Sequence, residues 1–276
     1  MNAARQHTLA REFTLRGVGL HTGNRCAATI APAPADAGFS FQVAGATIPA
    51  TPDAVRSTTR CTTLAGPSGV VNTVEHVLAA LSGMGVDNAA IAVEGDEIPI
   101  LDGSALPFAQ EIKKAGLREQ AQERRYLEVR EPAWFEEDGK LLAVLPADEF
   151  SISFFVAFPE PVGHQFLATP PIAPDYFLHE IAPNRTFGFR HEVEALAAQG
   201  LARGGSLDNA VVIDTDGYMG PLRFPDEIVR HKALDLIGDF ALIGMPLRAR
   251  VVAVKSGHAL HVAAARALRE LLAPAN

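Results

Sequence analysis

Cysteine is almost absent. Cys26 and Cys61 are the only two in 276 residues, a count that argues against a disulfide framework and against a Cys-rich structural zinc site. Any metal must then rest on His, Asp and Glu. Positive charge is also in short supply: 24 Lys+Arg stand against 32 Asp+Glu, a net charge of -8, and no basic run of five exists. This argues against a general nucleic-acid binder but leaves room for a local basic pocket around a phosphorylated ligand. The start, Met1-Asn-Ala-Ala-Arg-Gln-His-Thr-Leu9, has no apolar leader region, and no later stretch is long and uncharged enough to span a bilayer. The expected location is the cytoplasm, without stable membrane insertion. What is present is a globular composition, 48% hydrophobic and 20% charged, long enough for one large domain or two of ordinary size.

The polar stretch Arg118-Glu-Gln-Ala-Gln-Glu-Arg-Arg125 reads as a linker between an N-terminal half, 1–120, and a C-terminal half, 126–276. A similar order of elements recurs on either side. The first half predicts a helix from Thr73 to Leu81, a strand from Asn88 to Val93 and a helix from about Ser104 to Ala115. The second predicts a helix from about Asp226 to Ile243, a strand from Ala249 to Val254 and a helix to Leu272. Strand candidates precede each set: Cys26-Ala-Ala-Thr-Ile-Ala31 and Phe39-Ser-Phe-Gln-Val43, then Leu141-Leu-Ala-Val-Leu145 and Phe150-Ser-Ile-Ser-Phe-Phe-Val156. Strands grouped ahead of helices in two similar halves predict an α+β fold built by duplication. The second half carries one extra β-α-β unit at about 185–214: an extended Arg185-Thr-Phe-Gly-Phe189, a helix from His191 to Gln199, a loop from Gly200 to Gly205, and a strand Ala210-Val-Val-Ile-Asp214. Its Phe, Leu, Ala and Val content fits either plain core or a groove for an apolar ligand.

His231 and Asp235 stand four residues apart in Arg230-His-Lys-Ala-Leu-Asp-Leu-Ile-Gly-Asp239, within a helical period. Val229, Ala233, Leu236, Ile237 and Phe240 fill one side of the wheel, and His231, Asp235 and Asp239 share the other. The i, i+4 spacing lets both side chains reach one ion, and a mixed nitrogen and oxygen set suits zinc or a similar first-row metal. A lone pair of this kind more often marks a solvated helix face. A catalytic metal with an open position needs a third ligand, and His76 is the best candidate. It lies in the first turn of a helix that Asn72 or Thr73 can cap, where the macrodipole favours the neutral imidazole a metal requires. A hydrogen-bonded histidine at a helix end is an equal reading.

Glu75 projects about 100° around the helix from His76 and could stand beside a metal-bound water as general base, or could simply complement the helix dipole. His258 lies in Lys255-Ser-Gly-His-Ala-Leu-His261, where Asp239 could orient and charge it as an imidazolium acid. Lys232 and Lys255 would add positive charge at the same mouth. His261 ranks lower, because its i+3 position points it along the helix. His7, His164, His179 and His191 are expected at the surface. Gly17-Val-Gly-Leu-His-Thr-Gly23 and Gly204-Gly-Ser206 lack the spacing and the strand-to-helix context of a phosphate loop, so the first reads as a tight turn between strands.

Taken together, these segments resemble the UDP-3-O-acyl-N-acetylglucosamine deacetylase family, the zinc amidases of lipid A biosynthesis in Gram-negative bacteria. The matching runs are Gly17 to Gly23, Thr73-Val-Glu-His76, Glu97-Ile-Pro-Ile-Leu-Asp-Gly-Ser104, Arg185 to Phe189, Gly204 to Ser206, Arg230 to Asp239 and Lys255 to Leu260. As an ordered set spread along the chain they are highly specific. The resemblance implies His76, His231 and Asp235 as zinc ligands, with iron able to substitute. It implies Glu75 as base, His258 as the acid that protonates the leaving amine, Asp239 as the group holding His258, and Thr186 as a hydrogen-bond donor to the oxyanion. It further implies that Lys232 lies near the metal, that Lys255 belongs to the region meeting the nucleotide, and that Phe187, Phe189 and Ala202 line a passage for the acyl chain. Leu20 and Cys61 are implied as additional substrate contacts.

The fold so implied is two similar domains, each a β-sheet with helices, packed as a β-α-α-β sandwich with the site at the interface. The implied reaction removes the N-acetyl group of a UDP-linked, 3-O-acylated glucosamine and releases acetate, carried out by a monomer near the cytoplasmic face of the inner membrane. The rivals are an amidase of this fold acting on another acylated amino sugar, and a non-catalytic binding protein in which a metal only staples the halves. Three ligands beside an acid and a base favour catalysis, since structural zinc sites usually close with four. Asn184 and the loop Leu64-Ala-Gly-Pro-Ser-Gly69 lie outside the motifs, near the expected rim of the site, and leave the acyl-chain preference open.

Overall fold

In each half, the strand that follows the first helix becomes the centre of a sheet. Ala89–Glu94, whose apolar residues face the interior in alternation, runs antiparallel to Arg25–Pro32 and parallel to Phe39–Val43, with Phe13–Val18 and Ala46–Pro49 outside them. Leu247–Val254 repeats the arrangement. It runs antiparallel to Lys140–Pro146 and parallel to Ser151–Ala157, with Ala133–Glu137 and His164–Ala168 at the edges. The same strand order, with the same mixture of parallel and antiparallel neighbours, is the expected duplication. The computed structural model describes residues 4–193 and 202–271.

Four helices matter for the site: α1 (Glu75–Gly83), α2 (Leu106–Ala115), α3 (Glu227–Ala241) and α4 (His258–Glu270). α1 and α3 lie against each other between the sheets, making the α+β sandwich. Of α3 only Arg230 and Lys232 escape burial, so its polar stripe is not a solvated face; it points into the α1–α3 seam. Gly238 explains how close the two backbones come: a Cβ there would fall 2.1 Å from the Glu75 carbonyl oxygen, a distance no side chain tolerates.

Three expectations are corrected. First, neither Asn72 nor Thr73 caps α1. Val74 is the N-cap residue and no side chain caps the helix, because both expected groups are engaged elsewhere. The Thr73 hydroxyl donates to Glu97 Oε1 (2.9 Å), and Asn72 Oδ1 accepts from the Thr63 hydroxyl (2.9 Å). Thr73 itself sits at φ 60°, turning the chain into the helix two residues later than expected. Second, the polar stretch read as a linker is a strand: Leu117–Glu123 pairs antiparallel with Arg5–Leu9. Third, the helix expected to reach Leu272 ends at Glu270. In the insert, Phe187–Phe189 pairs parallel with Val211–Asp214, as a β-α-β crossover requires, and Gly217–Tyr218 adds antiparallel. Residues 194–199 of the helix expected there lie outside the described residues. Among the described residues no helix is long and apolar enough to cross a membrane.

Candidate active site

A cavity of about 450 Å³ opens where the start of α1, the middle of α3 and the start of α4 converge, and its wall includes Glu75, His76, His231, Asp235, Thr186 and His258. His76, His231 and Asp235 each turn one ligand atom into a common space, all within 4.8 Å of one another. Asp235 Oδ1 lies 3.3 Å from His231 Nε2 and 3.9 Å from His76 Nε2. A tetrahedral ion with bonds near 2.0–2.1 Å holds its ligand atoms about 3.3 Å apart, so the trio is spaced for one small cation. The electrostatics agree. Burial drives His76 down to about 3 and lowers His231 as well, which favours the uncharged imidazole a metal requires. Burial opposes ionisation of Asp235, yet His231, Lys232 and the neighbouring histidines outweigh it and bring the carboxyl down to about 2. His231 Nδ1 lies 3.1 Å from the carbonyl of Asn184; a carbonyl can only accept, so Nδ1 carries the hydrogen and Nε2 keeps its lone pair for a metal.

Glu75 and His258 flank this trio. Burial is the largest influence on Glu75 and lifts it to about 8, against the opposing charge of His258. A cation at the three ligands would draw it back down. His258 Nδ1 is 2.8 Å from Asp239 Oδ2, and Nε2 faces Glu75 Oε1 at 3.9 Å. Burial works against a charged His258, but the Asp239 carboxylate and its hydrogen bond prevail and raise it to about 9. His261, ranked low from its spacing, belongs to the same network: its Nδ1 donates to the same Oδ2 at 2.9 Å, and its Nε2 lies 2.8 Å from the Ser256 hydroxyl.

Thr186 is placed by two of the sequence motifs. Arg185 forms a paired contact with the fully buried carboxylate of Glu227, through Nε (2.9 Å) and Nη2 (3.1 Å), which ties the segment to the first turn of α3. The Thr186 N–H donates to the Gly103 carbonyl at 2.8 Å. Gly103, at φ 84°, lies so close to Asn209 that a Cβ would meet its carbonyl oxygen at 1.8 Å. Lys232 Nζ lies 3.4 Å from Asp235 Oδ2, and Lys255 stands exposed on the cavity rim.

A second cavity, about 230 Å³, adjoins the first beneath the insert; Leu20, Phe187, Ala202 and Val212 line it, and Phe189 joins the wall of the larger one. Phe158 packs against both phenylalanines, with ring centroids 5.5 and 5.7 Å away. The insert therefore does both: Val211 and Ile213 are buried core, and Phe187, Ala202 and Val212 wall the cavity. Cys61 is not on either wall. It is buried, its thiol pushed up to about 12 by desolvation and by Glu75. His164, His179 and His191 are exposed as expected, although His191 lines the larger cavity, and His7 is half-buried.

The glycine-rich segment is indeed a turn between strands, held by Glu97. This fully buried carboxylate accepts from the N–H groups of His21 and Thr22 (both 2.9 Å) and from the hydroxyls of Thr22 (2.8 Å) and Thr73 (2.9 Å). One side chain thus fixes the wall that carries Leu20 and His21 to the residue that leads into α1. Glu97 stood in a quoted motif, but nothing in its spacing singled it out.

A family model described as UDP-3-O-acyl N-acetylglycosamine deacetylase matches residues 6–270. Three relatives carry the name UDP-3-O-acyl-N-acetylglucosamine deacetylase. One from Anaeromyxobacter sp. (strain Fw109-5) is 47% identical over 265 residues, covering 95% of this chain and 87% of the relative. One from Phenylobacterium zucineum is 46% identical over 272 residues, covering 95% and 92%. One from Neisseria meningitidis serogroup B is 41% identical over 276 residues, covering 95% and 89%.

Proposed function

The chain belongs to the UDP-3-O-acyl N-acetylglycosamine deacetylase family, and from that premise we propose that it is a zinc-dependent amidase that hydrolyses the N-acetyl group of UDP-3-O-acyl-N-acetylglucosamine and releases acetate. The observation that carries the reading is a cluster of two imidazoles and a carboxylate, His76, His231 and Asp235, with Glu75 and a charged His258 facing each other beside it. Such a set leaves a fourth position open, where a structural site would close it.

His76, His231 and Asp235 would hold the ion. When bound, zinc polarises the amide carbonyl and makes water a nucleophile near neutral pH. Glu75 takes the proton from the attacking water as the carbon–oxygen bond forms. The hydroxyl of Thr186, on the cavity wall, donates to the oxygen that gains charge. His258 then delivers its Nε2 proton to the sugar nitrogen as the carbon–nitrogen bond breaks, and acetate leaves. Asp239 keeps the Nδ1 hydrogen in place throughout. The smaller apolar cavity takes the 3-O-acyl chain, with Phe187 between it and the metal ligands; Lys232 stays beside the ligand Asp235, and Lys255 faces the UDP end. The product, an amine carrying a single acyl chain, suits an early step of lipid A assembly at the cytoplasmic face of the inner membrane.

Elemental analysis for zinc, combined with acetate release from the UDP-linked substrate, tests the proposal. One zinc per chain with turnover is expected; zinc without acetate release would refute it.

A further inference from the structure

Resting on the deacetylase reading above, we propose that Thr62 is a positioning residue that locks the general base and the carboxylate partner of the general acid into one register across the two halves of the protein. Thr62 is fully buried and uses every polar group it has. Its backbone N–H donates to Glu75 Oε2 at 3.0 Å, and its carbonyl accepts from the N–H of Val74, the residue that opens α1, at 3.2 Å. Its hydroxyl donates to Asp239 Oδ1 at 2.6 Å, a length typical of a hydrogen bond to a charged oxygen.

A threonine hydroxyl has a single hydrogen, so with that hydrogen on Asp239 its lone pairs turn toward His258 Nδ1, 3.4 Å away. Asp239 is then held at both oxygens, Oδ1 by Thr62 and Oδ2 by His258 and His261. A carboxylate gripped on one oxygen alone can rotate and offer the other to the same imidazole. Gripped on both, it presents one fixed acceptor, so the His258 ring has a single orientation, the one that aims Nε2 at the cavity. The base feels the same residue through its backbone, and Glu75 and Asp239 therefore cannot drift apart independently. The bond joins positions 177 apart in the chain, a loop residue just before the strand Thr63–Ala65 and a residue of α3.

The test compares three proteins. Thr62→Val removes the hydroxyl while keeping the shape and both backbone bonds; Thr62→Ser restores the hydroxyl. With zinc content and KM unchanged, kcat should fall about 10- to 100-fold in Thr62→Val, the range for losing a hydrogen bond to a charged group, and stay within about threefold of wild type in Thr62→Ser. The downfield His258 Nδ1–H proton resonance, assigned by its loss in His258→Gln, should shift in Thr62→Val and remain in place in Thr62→Ser, both without substrate. If Thr62→Val does not fold, Thr62→Ala supplies the same comparison. An unmoved resonance with unaltered kcat overturns the proposal, as does a fall in activity matched by lost zinc with the resonance unmoved. Should wild type release no acetate, the deacetylase reading fails, and the resonance alone still decides the role of Thr62.

Discussion

Replacing Asp239 by Asn tests how the acid is kept charged. The substitution preserves shape but removes the negative charge that opposes burial of His258, whose pKa stands at about 9 against an ordinary 6.5. That difference corresponds to roughly 3 kcal/mol favouring the imidazolium, an order-of-magnitude figure at about 1.4 kcal/mol per unit. Without Asp239, burial dominates and the value should drop to 6.5 or lower. At pH 8 the protonated fraction then falls from about nine-tenths to about 3%, so kcat should drop about 30-fold from protonation alone. Much of this should return near pH 6. The assay is acetate release across pH at saturating substrate, with zinc measured on the same samples. In wild type the alkaline limb should lie near 9, and in Asp239→Asn it should move toward neutrality. The sign for stability follows: a histidine raised on folding stabilises the fold below its unfolded value of about 6.5, and that contribution disappears as pH rises through about 9. An alkaline limb that stays near 9 in Asp239→Asn would show that Asp239 does not charge the acid.

Glu75→Gln should keep zinc at wild-type stoichiometry while turnover falls about 10²- to 10⁴-fold, the usual contribution of a positioned base; near-normal rates in a zinc-loaded sample would remove Glu75 from that role. Asp235→Ala should lose the ion, since it deletes the atom the two imidazoles converge on; full zinc content by elemental analysis would contradict the ligand assignment. Gly238→Ala should cost about 1–3 kcal/mol in unfolding free energy and weaken zinc binding together, because the new methyl must push α3 off the Glu75 carbonyl. An unchanged melting temperature would mean that the seam yields more easily than its spacing suggests.

Much of this arrangement is legible in the sequence where physics leaves a local period. His231, Asp235 and Asp239 sit on one helical stripe, and the repeat of helix, strand and helix anticipates the two sheets. Thr62 and His261 left no such trace. Thr62 acts through a contact 177 positions away, and threonine in an extended segment is unremarkable as sequence. His261 ranks low on direction along its helix, but the i, i+3 spacing within α4 puts both imidazoles on one face and onto one oxygen of Asp239. The strand Leu117–Glu123 is hidden in the sequence for a different reason. It buries neither face, so it lacks the alternation by which a half-buried strand announces itself. The cap of α1 failed because Thr73 and Asn72 serve Glu97 and Thr63 instead of the helix.

The contact at Gly238 gives metal binding a second meaning. Glu75 and His76 arrive on one backbone, His231 and Asp235 on another, and only a missing side chain lets the two touch. The affinity of the His76, His231 and Asp235 trio for an ion would therefore also gauge how tightly the two helices that carry it are docked. A substitution far from the cavity that eased them apart by a fraction of an ångström would leave secondary structure intact and appear first as faster loss of metal to a chelator. Chelator competition, run on variants spread across both sheets, would map which parts of the protein hold its two halves together.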